Sequence, residues 1–165
     1  MSISFNADEV FEMGMDVERN GEAYYRKAAE KVDDPEVKDI LIFLADEEQK
    51  HFQTFRKLRE SLPAKATTTV TQDPEDQEAL YLDALVKSRL FNSEKEAERI
   101  ASSVKGEVEA LKTALTFEKD TILFFMHMKE MTREDLGKDK IDMLIEEEHS
   151  HVVKISEIIR NVMDR

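Results

Sequence analysis

The sequence predicts an all-α protein: a four-helix bundle of two helical hairpins with one long crossover connection containing a short helix. Three observations predict it. Apolar residues recur at three- and four-residue steps through four long segments, the spacing of one face of a helix. Four Gly and three Pro leave little material for the turns of an all-β fold. The two halves also align without a gap at an offset of 100 residues, so that Glu18, Glu48 and His51 fall on Glu118, Glu148 and His151.

The first helix is expected from about Asn6 to Lys31. Asn6 and Glu9 form an N-x-x-E start signal, and Val10, Gly14, Val17, Gly21, Tyr25, Ala28 and Val32 mark one face. Asp33-Asp34-Pro35-Glu36 closes the turn with a capping Asp, Pro at the first helical position and acids at a helix N-terminus. A second helix follows to about Ser61, with Ile40, Leu41, Leu44, Phe52, Phe55 and Leu58 on its inner side. These two make a hairpin over residues 6–61.

Residues 62–102 form the crossover. Residues 62–75 read as a linker, and Asp73-Pro74-Glu75 starts a short helix that runs through Tyr81 to Leu85 and ends near Phe91. Asn92 and Ser93 break it, and Ser93 with Glu96 starts another turn. The third long helix is expected from Ser103 to Met131, with Val108, Leu111, Leu115, Ile122 and Phe125 inward. Thr132 to Asp135 make the last turn, and the fourth helix completes a second hairpin over residues 103–163. A connection as long as 62–102 lets the hairpins pair within one chain or swap between two. The whole of 1–165 fits one domain, long enough to bury a core.

Composition excludes several classes of function. The net charge of −13 argues against nucleic acid and anionic membrane, which select for basic patches. With no Cys there are no disulfides, thiolate zinc sites, iron–sulfur clusters or thiol nucleophiles. The first residues, Met1 to Glu9, lack a basic region followed by an apolar one, and no apolar run is long enough to span a bilayer. A cytoplasmic location is the expectation.

The chemistry lies in two Glu-x-x-His tetrads, Glu48 to His51 and Glu148 to His151, each with a glutamate 30 residues upstream, Glu18 and Glu118. From Glu18 the first helix travels about 13 residues to its end, and the second returns about 12 before Glu48, each leg roughly 20 Å. The two carboxylates therefore sit at one height on antiparallel helices, and the same holds for Glu118 and Glu148. Residues i and i+3 share a helix face, so each tetrad can turn a carboxylate and an imidazole to one ion. An ionised carboxylate among apolar side chains is costly unless paired or bound to metal. Four carboxylates and two imidazoles suit a pair of iron or manganese ions better than zinc, whose structural sites favour Cys and His.

A second tetrad in the later half, Glu146 to His149, competes with Glu148 to His151. Glu146 and His149 share a polar face with Asp142 and Glu157, whereas Glu148 and His151 share the apolar face with Leu144, Val152 and Ile155. His149 and the acidic run around it are expected in solvent. His127, whose repeat counterpart is Lys27, is expected at the surface or rim. Tyr25 lies two turns beyond Glu18 and is either a core aromatic or a hydrogen-bond donor to a ligand carboxylate; its counterpart Phe125 has no hydroxyl. Met126, Met128, Met131 and Met143 read as flexible core filler, and Glu22 as a surface partner of Arg26.

On Glu18 to Tyr25, Leu44 to His51, Tyr81 to Val86, Glu118 to Phe125 and Ile145 to His151, the chain resembles the rubrerythrin-like branch of the ferritin-like superfamily, in its short members without a rubredoxin domain. The resemblance implies a ferritin-like bundle in which Glu18, Glu48, Glu118 and Glu148 are carboxylate ligands and His51 and His151 serve one iron each. It implies a di-iron, or di-manganese, oxidoreductase that reduces hydrogen peroxide or dioxygen in defence against oxidative stress. Its partners would be an external electron donor, such as a rubredoxin-type protein, and a second copy of the chain. Ferrous-iron oxidation and sequestration is the alternative, and a purely structural metal site a third. Two departures stand out. The Cys-bound iron relay of full-length rubrerythrins has no counterpart here, and their additional glutamate on the third helix is replaced one turn on by Thr121. The chain also stops just after the fourth helix, without the fifth that helps build a ferritin cage, so a storage cage is not expected.

Overall fold

The first helix begins on the capping box the sequence announces. The Asn6 side chain accepts from the Glu9 amide at 3.0 Å, and the Glu9 carboxylate accepts from the Asn6 amide at 2.9 Å. In the computed structural model, which describes residues 5–67, 77–88 and 91–165, six α-helices follow one another. They are α1 (Ala7–Ala29), α2 (Pro35–Glu60), α3 (Gln77–Ser88), α4 (Glu94–Ser103), α5 (Glu107–Met131) and α6 (Lys138–Met163). Short 3₁₀ turns lie at Ala64–Thr67 and Glu134–Leu136. The Asp34 side chain caps α2 by accepting from the Glu36 and Val37 amides, with Pro35 at its first position. No helix among the described residues is long and apolar enough to cross a membrane.

Side-chain pairings fix the helix directions. Met128 lies against Gly14 and Phe117 against Gly21, while the Tyr24 hydroxyl donates to the Ala110 carbonyl. Ascending α1 is thus descending α5, and the two are antiparallel. Phe43 meets His151 and Glu36 meets Asn161, so α2 and α6 are antiparallel as well. It follows that α2 and α5 run the same way, and the chain must return the length of the bundle between them. That requirement explains the long crossover. Within the one chain the hairpins pack face to face, α1 on α5 and α2 on α6.

The crossover differs from the expectation in one respect. Beyond Ser93 it forms not a turn but a full second helix, α4, which packs along α1, while α3 packs on α5. The third long helix consequently starts at Glu107 and not at Ser103, because Val104 is extended and Gly106 has φ +94°, a conformation L side chains rarely adopt. The Asp73-Pro74-Glu75 start and the last residues before Phe91 lie outside the described residues, as do Met1 to Ser4. Phe91 itself is buried and stacks on Tyr24 and Phe117, with ring centroids 4.9 and 4.8 Å apart.

The core follows the predicted faces with two corrections. Leu41, Leu44, Phe55, Leu111 and Phe125 are fully buried, but Ile40, Phe52, Leu58, Val108, Leu115 and Ile122 lie half-buried at its edge. Met128 and Met131 are core filler, whereas Met126 and Met143 are exposed, each falling on the outer side of its helix.

Gly21 is where the hairpins come closest to the carboxylates. A Cβ there would lie 2.6 Å from Phe117 Cε1 and 3.0 Å from Glu48 Oε2. Replacing Gly21 by Ala gains about 1 kcal/mol of helix propensity but overpacks a ring that cannot swing aside, at a cost of about 1–3 kcal/mol. We expect G21A to lower stability in denaturant titrations, and to lower it less when Phe117 is already Leu.

Candidate metal centre

Every ligand predicted from the sequence converges on one layer of the core. Glu18 comes from α1, Glu48 and His51 from α2, Glu118 from α5, and Glu148 and His151 from α6. All six are no more than 2% exposed. They fall into two overlapping groups whose donor atoms lie within 4.8 Å of one another: Glu18, Glu48, His51 and Glu148, and Glu48, Glu118, Glu148 and His151. Glu48 and Glu148 belong to both. Each group thus offers three carboxylates and one imidazole.

Glu148 is the hub. Its Oε1 lies 2.8 Å from His51 Nδ1, close but out of hydrogen-bond alignment, and its Oε2 lies 2.9 Å from His151 Nδ1. The two imidazoles stack with centroids 5.7 Å apart. Each Nδ1 also faces the glutamate of its own hairpin's first helix at 3.6 Å, His51 facing Glu18 and His151 facing Glu118. Both oxygens of Glu18, both of Glu48, Oε2 of Glu118 and Oε1 of Glu148 are buried without a hydrogen-bond partner. Buried carboxylate oxygens are not normally left so, and six of them beside two inward-facing imidazole nitrogens match the oxygen-rich donor set of a first-row metal pair.

The Tyr25 question is answered on both counts. Tyr25 is fully buried, and its hydroxyl donates to Glu118 Oε1 at 2.5 Å. That bond occupies one Glu118 oxygen and leaves Oε2 directed at the cluster. Phe125 offers Glu18 no such bond. Burial, followed by the charge of Glu118, pushes the Tyr25 hydroxyl well above the ordinary tyrosine range and keeps it a donor.

One participant was not legible in the sequence. Glu147, expected only as part of a solvated acidic run, accepts from His51 Nε2 at 2.8 Å, from a half-exposed position. A carboxylate on the outer nitrogen of an imidazole fixes which nitrogen faces inward and raises its basicity. The signal was present, since Glu147 directly precedes Glu148, but sequence spacing within one helix cannot show a contact between α6 and α2. Its repeat counterpart Glu47 pairs instead with Lys50 at 2.5 Å. His149 is exposed, as expected. His127 sits half-buried at the rim, its ring against Tyr81, and Glu22 pairs with Arg26 at 2.8 Å.

Residues 3–59 match the rubrerythrin family model. Among solved structures, the chain is similar to a Thermotoga maritima protein whose description is a putative ferritin-like diiron-carboxylate protein, at 19% identity and TM-score 0.70, over 95% of this chain and 96% of that one. The fold is ferritin-like. No curated protein matches the chain. The ferritin-like bundle accounts for the crossover, the two hairpins and the level at which six side chains meet.

Without metal, protons take up the charge. Burial pushes the Glu18 and Glu48 carboxyls well above the ordinary range, and neighbouring carboxylates add to it. Burial, with the Glu148 charge, raises Glu118 to about 8. Glu148 goes the other way: burial opposes ionisation, but the groups crowded round its carboxylate, Glu118 and the two imidazoles, outweigh it and hold the carboxyl low. For His51 and His151 burial disfavours the charged ring, yet the surrounding carboxylates prevail and raise each to about 10.

These shifts set the direction of pH dependence. Groups that hold protons more tightly when folded stabilise the fold below their unfolded values and lose that contribution as pH rises through the folded ones. For Glu118 that window runs from 4.5 to about 8, and for the histidines from 6.5 to about 10. The metal-free protein is therefore expected to lose melting temperature from pH 5 to pH 9. Added divalent metal should raise it most at the alkaline end, because ligands must shed protons to bind. Thermal melts across that range, with and without ferrous or manganous ion, check it.

The shared carboxylates make a second prediction. Glu48→Ala and Glu148→Ala should weaken both metal positions, whereas Glu18→Ala and Glu118→Ala should leave one ion tightly bound. Metal content per chain after dialysis separates the two outcomes.

Proposed function

We propose that the whole chain, 1–165, is one ferritin-like metal-binding domain that acts as a di-iron oxidoreductase of rubrerythrin type, reducing hydrogen peroxide or dioxygen. One observation carries this reading: two donor sets that share Glu48 and Glu148 within a single buried layer. Glu18 and His51 would hold one ion and Glu118 and His151 the other, with Glu48 and Glu148 belonging to both donor sets. Four carboxylates balance two dications, so the loaded core is near neutral. Iron fits the donor set, and manganese is the other metal it would accept.

When bound, a pair of redox-active ions supplies two electrons in one place, the number that converts one hydrogen peroxide and two protons into two waters. The protein's own contributions are positional. Tyr25 holds Glu118 by one oxygen, Glu147 holds His51 by its outer nitrogen, and the apolar shell of Leu41, Leu44, Phe125 and Ile141 keeps bulk water from the layer. These residues include no cysteine, and a protein of rubredoxin type is the electron donor we propose, with the chain acting as a homodimer.

Stopped-flow mixing of the reduced, iron-loaded protein with peroxide should show oxidation at least tenfold faster than that of free ferrous ion. Equal rates would sink the oxidoreductase reading. Iron taken up far beyond two ions per chain during aerobic loading would favour oxidation and sequestration instead.

A further inference from the structure

The two halves of the bundle are not packed alike beside the ligands. On one side the Phe117 ring lies on Gly21, so tightly that no Cβ would fit. The internal repeat places Val17 opposite Thr121 in the same relation, with a shorter side chain in place of the ring. What the ring fills on the first side is left open on the second. A cavity of about 130 Å³ lies there between α1, α3 and α5. Val17, Leu85, Phe117, Leu123 and Phe124 make its wall mostly apolar, Asp120 adds a carboxylate, and Thr121 borders it with its hydroxyl oxygen buried.

Thr121 is the second observation. It is 1% exposed, and its hydroxyl has no hydrogen-bond partner. A threonine inside a helix ordinarily turns its hydroxyl to the carbonyl four residues back. Thr116 does so to Lys112 at 3.0 Å and Thr132 to Met128 at 2.8 Å, in the same stretch of chain. Thr121 leaves that bond unmade, beside a cavity, one turn from Glu118 on the face that carries the ligand. An unsatisfied buried hydroxyl at such a place is suited to a guest that supplies the missing partner.

We propose that this cavity binds the small oxidant on its way to the ligand layer, with the Thr121 hydroxyl as its polar contact. The inference rests on the oxidoreductase reading above. The largely apolar wall disfavours ions, and the volume is close to that of engineered cavities of about 150 Å³ that take up xenon or benzene. The fitting ligand class is a small uncharged molecule: hydrogen peroxide, which can hydrogen-bond to Thr121 as donor and acceptor, or dioxygen, which needs only the apolar space.

Xenon under pressure is a probe that involves no redox chemistry. It should occupy the cavity in crystals of the wild-type protein and be absent from Val17→Phe, which restores the ring that the other half possesses. In stopped-flow work, iron-loaded V17F should oxidise at least tenfold more slowly than wild type while keeping its two irons per chain. Leu85→Phe narrows the same space from α3 and serves if V17F fails to fold. Thr121→Val keeps the volume: it should still bind xenon, slow the reaction with peroxide and spare that with dioxygen. If T121V slows neither, the hydroxyl has no part in binding and that half of the inference is overturned. No xenon in wild type, or full-speed oxidation in the filled variants, overturns the cavity as the oxidant's site and leaves the oxidoreductase reading standing. A wild-type protein that oxidises no faster than free ferrous ion overturns that reading, and the inference falls with it.

Discussion

Four carboxylates at one level of a helical core repel one another and resist leaving water, and the rest of the bundle is arranged around that constraint. No apolar packing would by itself place Glu18, Glu48, Glu118 and Glu148 within reach of one another, because burying like charges opposes folding. They are tolerated because each helix interrupts a largely apolar stripe at the same level. Val17 and Gly21 flank Glu18, Leu44 precedes Glu48, Phe117 and Thr121 flank Glu118, and Leu144 precedes Glu148. The layer is thin, and aromatic rings pack close beside it. Tyr24, Tyr25, Phe91 and Phe117 form one contiguous cluster linking α1, α5 and the segment that leads into α4. The crossover is therefore more than a return path, since its Phe91 is part of the wall beside the charged layer.

The internal repeat supplies symmetry, and the interest lies where symmetry fails. Tyr25 donates to Glu118, while Phe125 has nothing to give Glu18. Glu147 reaches across to His51, while Glu47 turns to Lys50. Phe117 closes over Gly21, while Val17 leaves space by Thr121. Each break falls next to a ligand, not at random in the helices. Together they make the two halves of the centre unequal in hydrogen bonding, in basicity and in access.

Much of this was legible in the sequence because the decisive features are periodic. Helix faces, the capping residues Asn6 and Asp34, and the shared height of Glu18 and Glu48 all follow from counting residues along a rigid rod. Choosing His151 over His149 needed only the apolar face of α6. The failures share a different cause. The start of α5 depended on one backbone angle at Gly106, which composition does not reveal, and the length of α4 on packing against α1. The role of Glu147 is a contact between helices that no spacing within a helix encodes. The cavity by Thr121 required knowing which side chain faces which across the bundle.

Unequal side chains at matched positions give a duplicated bundle a direction. Two identical hairpins would present two equivalent ions and no preferred side of approach. Val17 stands where its counterpart Phe117 carries a ring, and the space beside it adjoins Thr121, one turn from the glutamate that Tyr25 holds by one oxygen. The carboxylate that is pinned and the cavity thus both lie along α5. Glu18 and Glu48, with all four oxygens unpartnered, are the carboxylates that no hydrogen bond holds. One carboxylate held beside the cavity and others left unheld is an asymmetry that strict repetition of the hairpin could not provide.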